Sequence, residues 1–329
     1  MEVHAVQFQI RETDFSPEGF RRHVESFYKL AEPKDILVFP EDLGLLTAFT
    51  SLPEGEISTV ISNLYQENLE NVESLSGAFK DADPRESLFV SLTDKFVCDF
   101  YSVFSEFSGS YEVYSVACNN MASFRKVEQS YIPVSSKIFN TAYVFDTNGN
   151  ETFRQRKVYL TEMENSLALS SGELDRVKTF DIEGRKFGIA ISLDAFMPAY
   201  VARLSGADII LQPDANPGKW ASYLENGRWQ PEEWMESAHY IAQRLSSVRY
   251  VVNPMMVGNL ADVAFEGQSS ITKKASASDT KMAYVGNIPA VGFHSVSEIS
   301  GFDPAAPVPR NTTDFGSLIF DEKVLSVEI

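Results

Sequence analysis

Short apolar runs and longer amphipathic stretches alternate through the first two-thirds of the chain, which predicts strands and helices in turn. Residues 3–10 read as a first strand. Ser16-Pro17-Glu18 then combines an N-cap residue, a first-turn proline and an early acid, opening a helix to about Leu30. Residues 35–40 form a short apolar run closed by Pro40, the pattern of a buried strand. A helix is predicted over 57–80, a strand over 88–92, a helix over 93–107 and a strand over 111–118. Two strand-like segments, 141–145 and 153–160, flank Asp146-Thr147-Asn148-Gly149-Asn150, where Asn-Gly is a strong hairpin signal.

The same alternation predicts a strand over 187–193, a short helix over 198–204 and a strand over 208–211. A polar stretch over 213–231 comes before a helix over 232–246. Strands are predicted over 248–253, 269–272 and 281–285. The segment after about Gly286 is rich in proline and polar residues, and reads as an irregular tail ending in a strand over 323–329. Crossovers mixed with hairpins imply mixed sheets with helices outside.

Composition narrows the classes. With 329 residues, 44% apolar and 22% charged, the chain has the average make-up of a globular protein and can bury a core without disulfides or structural metal. A net charge of −18 argues against nucleic-acid and anionic-lipid partners. The N-terminus reads as a strand and not as a targeting peptide, and no apolar run is long enough to span a membrane, so a cytoplasmic protein is expected. Cys98 and Cys118 lack metal or redox spacing. Four scattered histidines make a His-based metal site or triad an unfavourable reading.

Three segments place polar groups at the ends of buried-looking strands. Phe39-Pro40-Glu41 puts a carboxylate where open α/β sheets bind ligands, although Glu41 could equally cap a turn. Lys157 has apolar neighbours on its strand and a plausible partner in Glu164, while a surface strand of mixed charge remains the alternative. Ser192 closes the apolar run from Gly188 and precedes a turn and a helix. That is the layout of a nucleophile elbow without its flanking glycines, or simply of a turn serine.

In this order, Phe39-Pro40-Glu41, the Lys157 strand and Ile191-Ser192-Leu193-Asp194-Ala195-Phe196-Met197-Pro198 resemble the three motifs of the nitrilase superfamily of carbon–nitrogen hydrolases. Further matches run from Asp146-Thr147-Asn148-Gly149 to Phe265-Glu266-Gly267-Gln268-Ser269, so the likeness spans about residues 1–290. It implies a four-layer αββα sandwich over 1–290, with 291–329 as a C-terminal extension packed on that domain or at a dimer interface. It also implies a homodimer or higher homo-oligomer, and no cofactor.

By the same resemblance Glu41 matches the general base, Lys157 the stabiliser of the tetrahedral intermediate, and Glu164 the second glutamate, with Glu162 close by. The Leu193 amide would complete the oxyanion hole. Ser-Leu-Asp resembles the Cys-x-Asp of amidase and carbamoylase branches, which favours an amide or carbamoyl substrate over a nitrile. Phe196, Gln212, Asn216 and Trp220 are candidates to line the substrate site; Trp220, with Trp229 and Trp234, either walls the pocket or anchors an excursion.

Ser192 stands where the family has cysteine. A thiol ionises near pH 8.5, whereas a serine hydroxyl normally needs a histidine base that these motifs lack. Little or no amide hydrolysis is therefore expected. Ser192 is either a Cys→Ser exchange in an active parent, which the retained Glu41, Lys157 and Glu164 favour, or native to a binding protein. An esterase acting on activated esters is a third reading.

Overall fold

The computed structural model describes residues 1–79, 83–224, 227–228, 230–274, 292–299 and 318–329. Its strands are β1 (Glu2–Gln9), β2 (Ile36–Val38), β3 (Tyr114–Val127), β4 (Ser130–Phe145), β5 (Glu151–Arg156), β6 (Phe180–Ile182), β7 (Arg185–Ile189) and β8 (Ile209–Leu211), then β9 (Tyr250–Asn253), β10 (Met256–Leu260), β11 (Val263–Phe265), β12 (Ser270–Lys273), β13 (Gly292–Val296) and β14 (Lys323–Glu328). One sheet has the order β11-β10-β1-β2-β3-β4-β5, with β14 also paired to β1; the other has the order β13-β12-β9-β8-β7-β6.

Period-two alternation explains how the sheets stack. Val3 and Ala5, Ile36 and Val38, Val116 and Cys118, and Ala142 and Val144 point from the first sheet onto Phe187, Ile189, Ile209, Leu211 and Val252 of the second. The alternate residues of the first sheet, among them Val6, Phe8, Leu37, Ala117 and Tyr143, face outward onto helices α1 (Pro17–Tyr28), α2 (Ile57–Glu67), α3 (Leu69–Ala78), α4 (Pro84–Ser91), α5 (Thr93–Phe96) and α6 (Ser102–Tyr111). After the short α7 (Glu162–Ser166), helices α8 (Pro198–Arg203) and α9 (Gln230–Arg244) cover Ala190, Ile210 and Val251 on the far side. The result is the αββα sandwich expected from the sequence. No helix among the described residues is long and apolar enough to cross a membrane.

Several local expectations are corrected. Residues 88–92 belong to α4 and the turn after it, not to a strand. Asp83 caps that helix in a capping box with Glu86 and Pro84 sits in its first turn, so the cap decides what a five-residue apolar run cannot. The helix predicted over 57–80 is interrupted at Asn68, between α2 and α3. The polar stretch 119–140 forms most of a long β3–β4 hairpin, with Asn120 opposite Asn140. The expected Asn-Gly turn joins β4 to β5, and Gly149 adopts φ +79°, where a Cβ would meet the Ser105 carbonyl at 2.3 Å. The tail expected to be irregular contributes β13 as well as β14, while the strand predicted over 281–285 lies outside the described residues.

Candidate functional site

At one end of the inter-sheet core the apolar layer gives way to carboxylates, amides and one ammonium. Beyond β2, Phe39 still donates its N–H to Val116 O at 2.9 Å, and Glu41 follows, 2% exposed. Asp42 takes a left-handed turn conformation, φ 58°, which redirects the chain into the helical turn Leu43–Ala48. Lys157 lies one residue past β5, and its N–H continues the ladder to Asn140 O at 2.8 Å. Its Nζ reaches Glu41 Oε1 at 2.6 Å and Glu164 Oε2 at 2.8 Å.

Local sequence explains why Glu164, and not the exposed Glu162, turns inward. Thr161 caps α7 and Glu164 is the third residue of that helix, so its Oε2 also accepts the Thr161 N–H and hydroxyl at 2.8 and 3.0 Å. The Asn140 side chain, which motif order did not single out, binds the carboxylates together. Its Nδ2 donates to Glu41 Oε1 at 2.7 Å and Glu164 Oε1 at 3.0 Å, and lies 3.5 Å from Asp42 Oδ1. Asn120 Nδ2 donates to the same Asp42 oxygen at 2.8 Å.

Electrostatics follow from burial. Loss of water is the largest influence on Glu41 and raises its pKa above 4.5; Lys157 opposes this and Glu164 reinforces it. Burial acts to lower the Lys157 pKa, but the two carboxylates outweigh it and hold the side chain as an ammonium. A buried cation with two charged partners is the arrangement that a low-dielectric site tolerates.

Ser192 reaches the same region from the second sheet. After β7 the chain follows β8, with Ala190 N–H on Leu211 O and Ser192 N–H on Pro213 O at 3.1 Å. Ser192 has φ 47°, a strained conformation for a residue with a Cβ, and starts the helical turn Ser192–Phe196. The Leu193 N–H donates to no protein group among the described residues. Asp194 ties this turn to the lysine segment, because its carboxyl accepts the Val158 and Tyr159 N–H groups at 3.1 and 2.8 Å. Burial pushes the Asp194 pKa up to about 8.

Asp214 is a further buried carboxyl that the motifs did not indicate. Its Oδ2 accepts Asn253 Nδ2 at 2.5 Å and Gln212 Nε2 at 3.1 Å, while its Oδ1 has no partner. Burial, then Glu41, raises its pKa well above the ordinary range.

The expected lining residues fare differently. Leu193 and Phe196 are half-buried on the serine turn, with Phe196 edge-on to Trp234 at 5.3 Å. The Gln212 amide nitrogen is occupied by Asp214 and Ser237, and Asn216 donates to Glu266 O at 3.0 Å. Trp220 is fully buried with Met235, Met255, Val257 and Phe320, and donates to Gln268 Oε1 at 3.2 Å, contacts that suit the anchoring reading. Trp229 lies outside the described residues.

Among the described residues, the His, Cys, Asp or Glu group close-set enough to hold a metal is Glu2 and His4 of β1 with Asp35, the residue before β2, and not at this site. There the Asp35 oxygens already accept the Glu2 and Glu32 N–H groups.

Residues 113–274 match the family model described as carbon-nitrogen hydrolase. No curated protein matches the chain in sequence. Among solved structures, a carbon-nitrogen hydrolase from Helicobacter pylori G27 is similar at TM-score 0.54 and 16% identity, over 83% of this chain and 82% of that one. Saccharomyces cerevisiae Nit3, a member of branch 10 of the nitrilase superfamily, is similar at TM-score 0.52 and 18% identity, over 83% and 82%. An amidase from Nesterenkonia sp. is similar at TM-score 0.50 and 17% identity, over 83% and 82%. At these identities the likeness concerns the fold. The chain thus has a fold similar to these proteins, and residues 113–274 are similar to the carbon-nitrogen hydrolase family.

Proposed function

We propose that the chain carries an amidase-like site for a non-peptide amide or carbamoyl C–N bond, built for a cysteine at position 192 and almost silent with the serine it has. The observation that carries this reading is Lys157 held between Glu41 and Glu164 at 2.6 and 2.8 Å, next to a second-sheet turn that begins with a strained Ser192.

With a thiol at 192, Glu41 takes the S–H proton as sulfur attacks the carbonyl carbon. The C=O pair moves to oxygen, where the remaining Lys157 N–H and the Leu193 N–H receive the developing charge. Collapse breaks the C–N bond, Glu41 returns the proton to the leaving nitrogen, and the acyl group stays on sulfur. Water then gives its proton to Glu41, attacks the acyl carbon and displaces the thiolate, which takes that proton back from Glu41. The raised Glu41 pKa makes it a better base than an exposed glutamate. It is still far from sufficient for an alcohol, and two of the histidines are engaged elsewhere, His4 with Asp35 and His23 with Asp14 and Glu322.

The test is ammonia release from a panel of amides, carbamoyl compounds and nitriles, comparing the chain with Ser192→Cys. Turnover by the cysteine form alone supports the reading. Silence of both across the panel favours the second one, a binding protein on an enzyme scaffold, for which the serine itself speaks. Ester turnover by the unaltered chain would mark a serine esterase instead.

A further inference from the structure

Asp42 has no role in the chemistry above, yet it sits against that machinery. Its Oδ1 accepts from Asn120 at 2.8 Å and lies 3.5 Å from the Asn140 nitrogen that also serves Glu41 and Glu164. Its Oδ2 receives no hydrogen bond among the described residues, and the residue keeps part of its surface accessible. Lys157, the single cation in this cluster, spends two of its three N–H groups on Glu41 and Glu164. Asp42 forms no ion pair among the described residues, and Lys157 acts on it only through space.

A second observation points the same way. Asn120 and Asn140 are 1% and 0% exposed, and the Oδ1 of each accepts nothing among the described residues. Each oxygen shares a carbon with a nitrogen that binds Asp42 or its neighbours, so both lie within the cluster. The site therefore has surplus acceptors and hardly any spare donors. Buried acceptors without partners are costly, and a ligand that brings donors relieves the cost.

We infer that Asp42 is a specificity-determining residue that receives a substrate ammonium, so that the site selects amides carrying a positive charge and rejects anionic ones. This rests on the amidase reading. Burial together with Glu41 and Glu164 pushes the Asp42 carboxyl well above its ordinary range, so it gives up its proton and takes its charge when the substrate ammonium arrives. The Glu41 and Glu164 carboxylates, which share a single ammonium, disfavour a negatively charged acyl group.

The chain as it stands suits a binding test, because Ser192 should leave bound amides intact. Titration calorimetry at neutral pH would compare β-alaninamide, its neutral isostere butyramide and the anionic malonamate, on the unaltered chain and on Asp42→Asn. Asparagine tolerates the left-handed turn at this position, so the substitution removes charge and keeps the backbone. The expected result is about tenfold tighter binding of β-alaninamide than of butyramide, the size of one charge-assisted hydrogen bond. Added salt should shrink that ratio, malonamate should not bind, and Asp42→Asn should bring the ratio towards one. Equal binding of the cation and its neutral isostere, or a ratio unmoved by Asp42→Asn, overturns the assignment of Asp42 and leaves the amidase reading in place. Binding of none of the three overturns both.

Discussion

Replacing Asp194 by asparagine should flatten the pH dependence of stability without undoing the turn. The carboxyl is fully buried and bridges the serine turn to the two residues after Lys157, and its Oδ1 alone lies within reach of both the Val158 and Tyr159 N–H groups. An asparagine oxygen can keep both bonds. Burial lifts the folded pKa from 3.8 to about 8, so the folded chain holds a proton that the unfolded chain releases near pH 4. The stability this proton provides is fully present below the unfolded value and is lost as pH rises towards 8. Each pH unit inside that window is worth about 1.4 kcal/mol. Between pH 5 and pH 8, three units, the unaltered chain should lose about 4 kcal/mol more than Asp194→Asn. Glu41, Asp42 and Asp214 also have raised pKa values and slope the same way in both proteins, so the difference between the two curves isolates Asp194. Urea unfolding at a series of pH values is the assay. Parallel curves for the two proteins would mean that Asp194 is already ionised in the fold, with its two backbone donors outweighing burial.

Lys157→Met leaves Glu41 and Glu164 facing each other without their cation, and should cost about 3–5 kcal/mol in denaturant unfolding, as for other buried pairs that lose one member. Trp220→Ala should cost about 3–5 kcal/mol as a core truncation. Its effect on amide affinity should be small, and an affinity loss at unchanged stability would favour the pocket-wall reading. His23 is buried between Asp14 and Glu322; burial opposes its charge, but the two carboxylates raise its pKa above 6.5. The stability it gives is therefore complete below pH 6.5 and fades as pH rises through the higher folded value, and Glu322→Gln should weaken that fall when unfolding is followed from pH 6 upward.

How far the sequence could be read depended on whether a residue's surroundings were local. Glu41, Lys157 and Ser192 each follow a strand and Glu164 lies in the short helix after Lys157, so the resemblance of the ordered motifs could nominate them. Thr161-x-x-Glu164 is a capping-box spacing, a local signal that could have separated Glu164 from Glu162 before any coordinates. Asp83-Pro84-Arg85-Glu86 carries the same kind of signal, and weighing it would have turned 88–92 from strand to helix. Asn140 and Asn120 gave no such sign. They matter because the β3–β4 register sets them opposite each other at the end of the inter-sheet core, and a register is not a property of either strand alone. Trp220 illustrates the opposite case: an aromatic in a polar stretch looks available for a ligand, and its packing on the distant Met255, Val257 and Phe320 is not visible in the sequence. Asp42 combines both cases. Its neighbour Glu41 drew attention to the motif, but the excess of acceptors around it exists only once Asn120, Asn140 and Glu164 arrive from three other parts of the chain. On the proposed reading, the groups assigned to the bond-breaking step lie in short motifs, while those assigned to selecting charge are assembled by pairing between strands.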